Sequence, residues 1–153
     1  MQTGVFKVST IGDCYLANSG LPDIRDDHAE LMAKFLVECQ KIFEVVTNEL
    51  SYTFGSETTD LKLRCGLHYG PVTAGVLRGL RSMFEIFGDT VNTASCMEST
   101  EIPKTIEISQ TTTDFLIKAV KEIWVNPRDG YIISKSKGQM HTYWLTMTDF
   151  HAS

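Results

Sequence analysis

No apolar run in the 153-residue chain approaches the roughly 20 residues a membrane helix needs. The opening stretch MQTGVFKVSTIGD enters strand-like sequence without a signal-peptide pattern. Any membrane attachment is therefore expected to lie in parts of a parent protein outside this chain, with the chain itself cytoplasmic. Cysteine is sparse. Cys14, Cys39, Cys65 and Cys96 are widely spread, with no C-x-x-C pair and no zinc-finger spacing, which excludes the dense disulfide framework of a small secreted domain. Cys14, Cys39 and Cys65 are expected to pack as small, reduced hydrophobes on strand or helix positions. Basic charge is also short. With 14 Lys+Arg against 19 Asp+Glu the net charge is -5, which argues against nucleic acid or an anionic membrane surface as a partner, since both reward a basic face. Any phosphate site must be local. There is no internal repeat and no low-complexity tract.

What remains is ordinary globular content, 42% hydrophobic and 22% charged, suited to one domain over residues 1–153. Residues 5–10 and 14–18 are short β-prone runs around Ile11, Gly12 and Asp13, and predict a hairpin with Gly12 and Asp13 at its turn. Asp26 and Asp27 are candidate N-caps of a helix whose apolar stripe is Met32, Phe35, Leu36, Cys39, Ile42, Phe43 and Val46. Residues 51–60 read as a polar loop feeding a strand over 61–68. A strand at 83–87 ends at Gly88-Asp89-Thr90, where a helix running to about Met97 begins; backbone N–H groups can face a ligand in such a setting. The rest predicts a strand over 105–108, a helix over 111–120 capped by Ser109, and β segments near 123–125 and 141–145. The mixed order of strands and helices places the chain in the α/β or α+β classes and favours a largely antiparallel sheet with helices packed on it.

Four segments carry more information than periodicity does: KVSTIGDCY (residues 7–15), LRCGLHYGPV (63–72), FGDTVNTASCMEST (87–100) and KSKGQMHTYWL (135–145). Together and in this order they resemble the class III adenylate and guanylate cyclase family, over about residues 5–146. The resemblance implies an α+β, ferredoxin-like fold, a largely antiparallel sheet flanked by helices, with a smaller β subdomain near the C-terminus. It implies conversion of ATP or GTP to a 3′,5′-cyclic monophosphate and pyrophosphate. The sites would be shared between two cyclase domains of a head-to-tail homodimer or heterodimer, with two Mg²⁺ or Mn²⁺ ions activating the 3′-hydroxyl and clamping the phosphates.

The same resemblance assigns roles to individual residues. Asp13 matches the second metal-binding aspartate, a hard oxygen ligand beside a tight turn. The first metal aspartate and a phosphate-binding loop belong to a strand, loop and helix that precede this chain in the family, so the metal pair is expected to be incomplete and the chain inactive alone. Asn92 matches the ribose-positioning asparagine. Cys96 stands where the family has an arginine that stabilises charge on the transferring phosphorus, and a thiol lacks the permanently charged planar fork of a guanidinium. Lys135 matches a lysine that contacts the triphosphate from a flexible loop, with Lys137 and Gly138 completing the Lys-x-Lys-Gly pattern.

The two base-selecting positions are Ser9 and Glu85. They fit neither the adenine nor the guanine pattern of the family, but a carboxylate at 85 can accept from adenine's amine and would repel guanine's carbonyl, so ATP is favoured over GTP. Cys96 and Ser9 also motivate a second reading, a regulatory or pseudo-catalytic domain that binds nucleotide or a partner cyclase domain without turnover. A third, a plain interaction module, follows from the strand edge that a missing first strand would leave unpaired. His68 and His28 read as structural histidines rather than general bases.

Overall fold

In a computed structural model, which describes residues 4–79, 82–100, 102, 104–119 and 121–147, the chain opens on the expected hairpin. Strands β1 (Phe6–Ile11) and β2 (Cys14–Asn18) pair antiparallel. Gly12, at φ +61°, takes the first position of the two-residue turn, where a left-handed backbone suits glycine. Cys14 is exposed, contrary to its expected packing, because the outer strand positions at this end of the hairpin have nothing laid over them.

Helix α1 (His28–Phe54) follows. Asp27 occupies the N-cap position, but its side chain makes no capping bond; Arg25 holds its carboxylate at 2.7 Å instead. The first half of the predicted stripe packs, with Ala29, Met32 and Ala33 buried and Phe35 and Leu36 against them. The second half does not, and Ile42 and Val46 are exposed. The helix runs through the polar residues expected to be loop and stops at Gly55, φ +100°, whose N–H closes on the Ser51 carbonyl at 3.0 Å. A 3-10 turn, Ser56–Asp60, replaces the rest of that loop.

The scaffold is a four-stranded sheet of β3 (Cys65–Leu67), β6 (Ile106–Ser109), β10 (Thr142–Leu145) and β7 (Val125–Pro127), in the order β3-β6-β10-β7. β10 pairs antiparallel with both neighbours, whereas β3 and β6 run parallel. The parallel pair is possible because the connection between them is long and contains a helix: β4 (Thr73–Leu77), β5 (Met83–Phe87) and α2 (Asp89–Thr100) all lie between β3 and β6. β4 and β5 form their own antiparallel hairpin, as do β8 (Ile132–Ser134) and β9 (Gly138–Met140).

Helix α3 (Gln110–Lys118) starts as expected on Ser109, whose hydroxyl accepts from the Thr112 N–H; Val120, the expected end of this helix, lies outside the described residues. One face of the sheet, with Cys65, Leu67, Ile106 and Ile108, packs on α1 and α3 through Met32, Ala33 and Leu116, and Trp124 and Leu145 close the cluster. Each such aliphatic side chain contributes about 1.5–3 kcal/mol of burial. The opposite face carries α2. The α+β expectation holds, with a split rather than continuous set of ladders.

Candidate active site

Helix α2 approaches the sheet closely because β3 presents a glycine to it. A Cβ added at Gly66 would lie 2.4 Å from the Ala94 carbonyl oxygen and 2.6 Å from the Glu98 nitrogen. Its N-terminus is pinned by Thr90, whose hydroxyl donates to the Pro71 carbonyl at 2.5 Å, and by buried Thr93, which donates to the Asp89 carbonyl at 2.8 Å. Gly88, at φ +132°, turns the chain from β5 into the helix, and the N–H groups of Val91 and Asn92 close on its carbonyl.

With Ala94 and Met97 facing the sheet, Asp89, Asn92 and Cys96 fall three and four positions apart on another side of the helix, in one stripe. The β8–β9 hairpin lies against that stripe. The Cys96 thiol donates to the Ile133 carbonyl at 3.6 Å, and Lys137 Nζ is 3.1 Å from Asp89 Oδ2. Lys135 is exposed in the turn between β8 and β9. The structure thus brings Asn92, Cys96 and the Lys135 turn together. The turn is three residues closed by the Ser134–Gly138 pair.

Ser9 and Glu85 sit on neighbouring hairpins. β1 meets β5 through an edge-to-face contact of Phe6 and Phe84 with ring centroids 5.1 Å apart. Glu85 stands opposite Gly75, where an added Cβ would meet nothing within 4 Å, so the strand position across from it is open. Ser9 Oγ is buried and has no hydrogen-bond partner among the described residues. Asp13 is exposed at the tip of the first hairpin, between exposed Ile11 and Tyr15. Among the described residues no three His, Cys, Asp or Glu side chains cluster as a metal site. Asp13 can supply one oxygen ligand, which does not by itself fit a divalent ion that takes about six; a two-ion site needs carboxylates beyond those described.

Both histidines take structural places. His68 Nδ1 is 2.7 Å from Ser109 Oγ. Burial first, and the Lys137 charge second, push its pKa down to about 4 against a weaker opposing pull from Asp89, so the ring is neutral near pH 7. His28 Nδ1 is 2.6 Å from the Arg25 carbonyl and its ring stacks on Tyr69. Asp89 and Ser136 are the residues that sequence reasoning left without a role. The Asp89 carboxyl is held below the usual carboxylate range, first by a hydrogen bond from Ser136 and then by Lys137. A carboxylate at the first helical position and a Lys-Ser-Lys turn were both visible, but nothing in one sequence pairs segments so far apart in the chain.

The model of the adenylate and guanylate cyclase catalytic domain matches residues 1–147. The chain is 40% identical to the receptor-type guanylate cyclase gcy-28 of Caenorhabditis elegans, over 92% of this chain and 10% of that protein. It is 42% identical to guanylate cyclase 2G of Rattus norvegicus, over 95% of this chain and 13% of that protein. The chain therefore spans only about a tenth of the length of these curated relatives. Among solved structures, the guanylate cyclase domain of RhGC from Catenaria anguillulae in complex with GTP superposes with a TM-score of 0.75 at 38% identity, over 95% of this chain and 74% of that one. The adenylyl cyclase CyaB from P. aeruginosa, at 20% identity, shares the fold with a TM-score of 0.82, over 97% of this chain and 75% of that one. The chain belongs to the adenylate and guanylate cyclase catalytic domain family.

Proposed function

We propose that this domain binds a purine nucleoside triphosphate along the exposed stripe of α2, ATP in preference to GTP, and that Cys96 holds its turnover as a cyclase far below that of an arginine-bearing site. The observation that carries this reading is the placement of Asn92 and Cys96 one helical turn apart, against the hairpin whose turn bears Lys135. In the reaction the 3′-hydroxyl gives up its proton to water, its oxygen forms a bond to the α-phosphorus, the bond from that phosphorus to the oxygen bridging to the β-phosphate breaks, and pyrophosphate leaves. Negative charge gathers on the phosphoryl oxygens as this happens. Lys135 supplies one positive charge to the triphosphate, and Asn92 offers its amide to the ribose. The Cys96 thiol, which donates to the Ile133 carbonyl, offers no permanent charge to the phosphorus. Losing one donor to a developing oxyanion typically costs about 10²–10³ in rate.

Glu85 and Ser9 set the base. A carboxylate at 85 accepts from the adenine amine and opposes a guanine carbonyl, and the unpartnered Ser9 hydroxyl can donate to a ring nitrogen. GTP is the competing reading, favoured by the guanylate cyclase names of the relatives at 40% and 42% identity. Asp13 would supply one ligand to Mg²⁺ or Mn²⁺, and its exposed place between Ile11 and Tyr15 suits a site completed by a second cyclase domain. Cyclic AMP and cyclic GMP formation with Mn²⁺, by the wild type and by Cys96→Arg, each mixed with a second cyclase domain that carries the remaining metal carboxylates, tests all of this. Cys96→Arg is expected to raise turnover by about 10²–10³, with ATP the better substrate. If labelled ATP binds and Cys96→Arg stays silent, the domain is regulatory; a preference for GTP overturns the role given to Glu85.

A further inference from the structure

The Lys135 turn is braced from outside its own hairpin, and the brace is a single residue. Asp89, the first residue of α2, has Lys137 Nζ at 3.1 Å, and the Ser136 hydroxyl and Lys137 together hold its carboxyl below the usual range. Within the turn, Ser136 Oγ is 3.2 Å from Ser134 Oγ. Gly138 closes the turn at φ +70°, the left-handed position a three-residue hairpin loop requires. Two of the three turn residues are therefore drawn onto one carboxylate, while exposed Lys135 makes no ion pair among the described residues. The carboxylate is well placed for this, since a negative charge in the first turn of a helix is favoured by the helix dipole. His68 lies beneath the pair, neutral and tied to Ser109, so it does not compete with Lys137 for the carboxylate.

We propose that Asp89 is a positioning residue that acts through Lys135: by holding Ser136 and Lys137 against the start of α2, it fixes the turn from which Lys135 meets the triphosphate. This rests on the reading of Lys135 as a triphosphate contact. It also makes a prediction opposite to that of simple charge. Asp89 is a negative group beside a site for a highly negative ligand, so removing its charge alone would tighten nucleotide binding. If Asp89 positions the turn, removing it weakens binding instead, by about two- to fivefold for an exposed pair of this kind.

The test uses the whole chain and two readouts. The first is amide hydrogen exchange of a peptide spanning residues 132–140, without nucleotide, in the wild type, Asp89→Asn and Lys137→Gln. Both variants are expected to exchange faster there while peptides of α1 and β6 stay unchanged. Unchanged exchange at 132–140 overturns the brace whether or not nucleotide binds. The second is the Kd of a fluorescent ATP analogue with Mn²⁺ in a double-mutant cycle. Asp89→Asn is expected to weaken binding in the wild-type background and to have no effect in Lys135→Ala. Tighter binding in Asp89→Asn, or an equal loss in both backgrounds, overturns action through Lys135. An analogue that binds neither wild type nor variants, with exchange accelerated as expected, overturns the nucleotide reading and the role of Lys135 while leaving the brace itself standing.

Discussion

The four-stranded sheet and the three hairpins around it are built on different terms. In the sheet region Ile106, Ile108 and Leu116 are at most 1% exposed, whereas Ile11, Val76 and Met83 on the first two hairpins expose 71%, 61% and 52%. No candidate site residue lies on β3, β6, β10 or β7. Ser9, Asp13, Glu85 and Lys135 belong to hairpins, and Asn92 and Cys96 belong to α2, which packs on β3 and β6 of the sheet and on β5 and β8 of the hairpins. The difference teaches where each property is stored. The sheet and its two covering helices supply burial, and the hairpins lean on that scaffold from one side while leaving apolar faces open.

The largest expected effect lies at Arg128. Its Nη1 lies 2.6 Å from Oε1 of Glu107, which is fully buried on β6, and its guanidinium also sits over the Trp144 ring. Arg128→Ala leaves that carboxylate in the scaffold without its cation, and a stranded charge of this kind costs about 3–5 kcal/mol. The urea midpoint is expected to fall accordingly, and the double replacement of Glu107→Leu with Arg128→Leu to recover most of the loss. A change under about 1 kcal/mol in Arg128→Ala would mean that stability is not concentrated in the sheet.

Two glycines sharpen the same contrast at smaller scale. Gly66→Ala forces a methyl against the backbone of α2, with Ala94 O and Glu98 N both under 3 Å away, and overpacking against backbone costs about 1–3 kcal/mol. Gly75→Ala, on the hairpin, meets nothing within 4 Å and is expected to stay within about 0.5 kcal/mol. Thermal melts of both variants decide it; equal losses would show that the hairpins are packed as tightly as the scaffold.

What a single sequence makes legible follows the same division. The first hairpin, β5, the start of α2 and the Ser109 cap of α3 were readable because each rests on local chemistry: a glycine turn, an alternating run, a hydroxyl before a helix. The separation of Asn92 and Cys96 by one turn was readable for the same reason. The second half of α1 was not. Residues 51–54 alternate the hydroxyl residues Ser51 and Thr53 with the aromatics Tyr52 and Phe54, and the helix continues through them because Gly55 sets the stop. The apolar stripe of α1 correctly announced a helix but overstated its burial at Ile42 and Val46, since periodicity says which side chains share a face and not whether anything covers it. β4, β8 and β9 were missed because they are three to five residues long and gain their regularity from partner strands. The link from Asp89 to the Lys135 turn is a contact between distant segments, which no local pattern encodes.

The smallest effect lies at the seam between the two regions. His68 follows β3, is hydrogen-bonded to Ser109 on the sheet side, and feels Lys137 and Asp89 on the hairpin side. Its pKa falls from about 6.5 in the unfolded chain to about 4 in the fold, through burial first and Lys137 second, with Asp89 acting in the opposite sense. Between those values the unfolded chain binds more protons than the folded one, so unfolding becomes easier as pH drops. The stability contributed by neutral His68 is complete above about pH 6.5 and is lost progressively as pH falls toward 4. Because the ring is only partly buried, solvent screening reduces the effect to about 1 kcal/mol. Urea midpoints at pH 7.5 and pH 5 are expected to differ more for the wild type than for His68→Gln. Lys137→Gln removes the charge that helps keep the ring neutral while leaving its burial intact, so its pH dependence should fall between the two. An identical pH dependence in all three chains would mean that the hairpin turn is not electrically coupled to the sheet through His68.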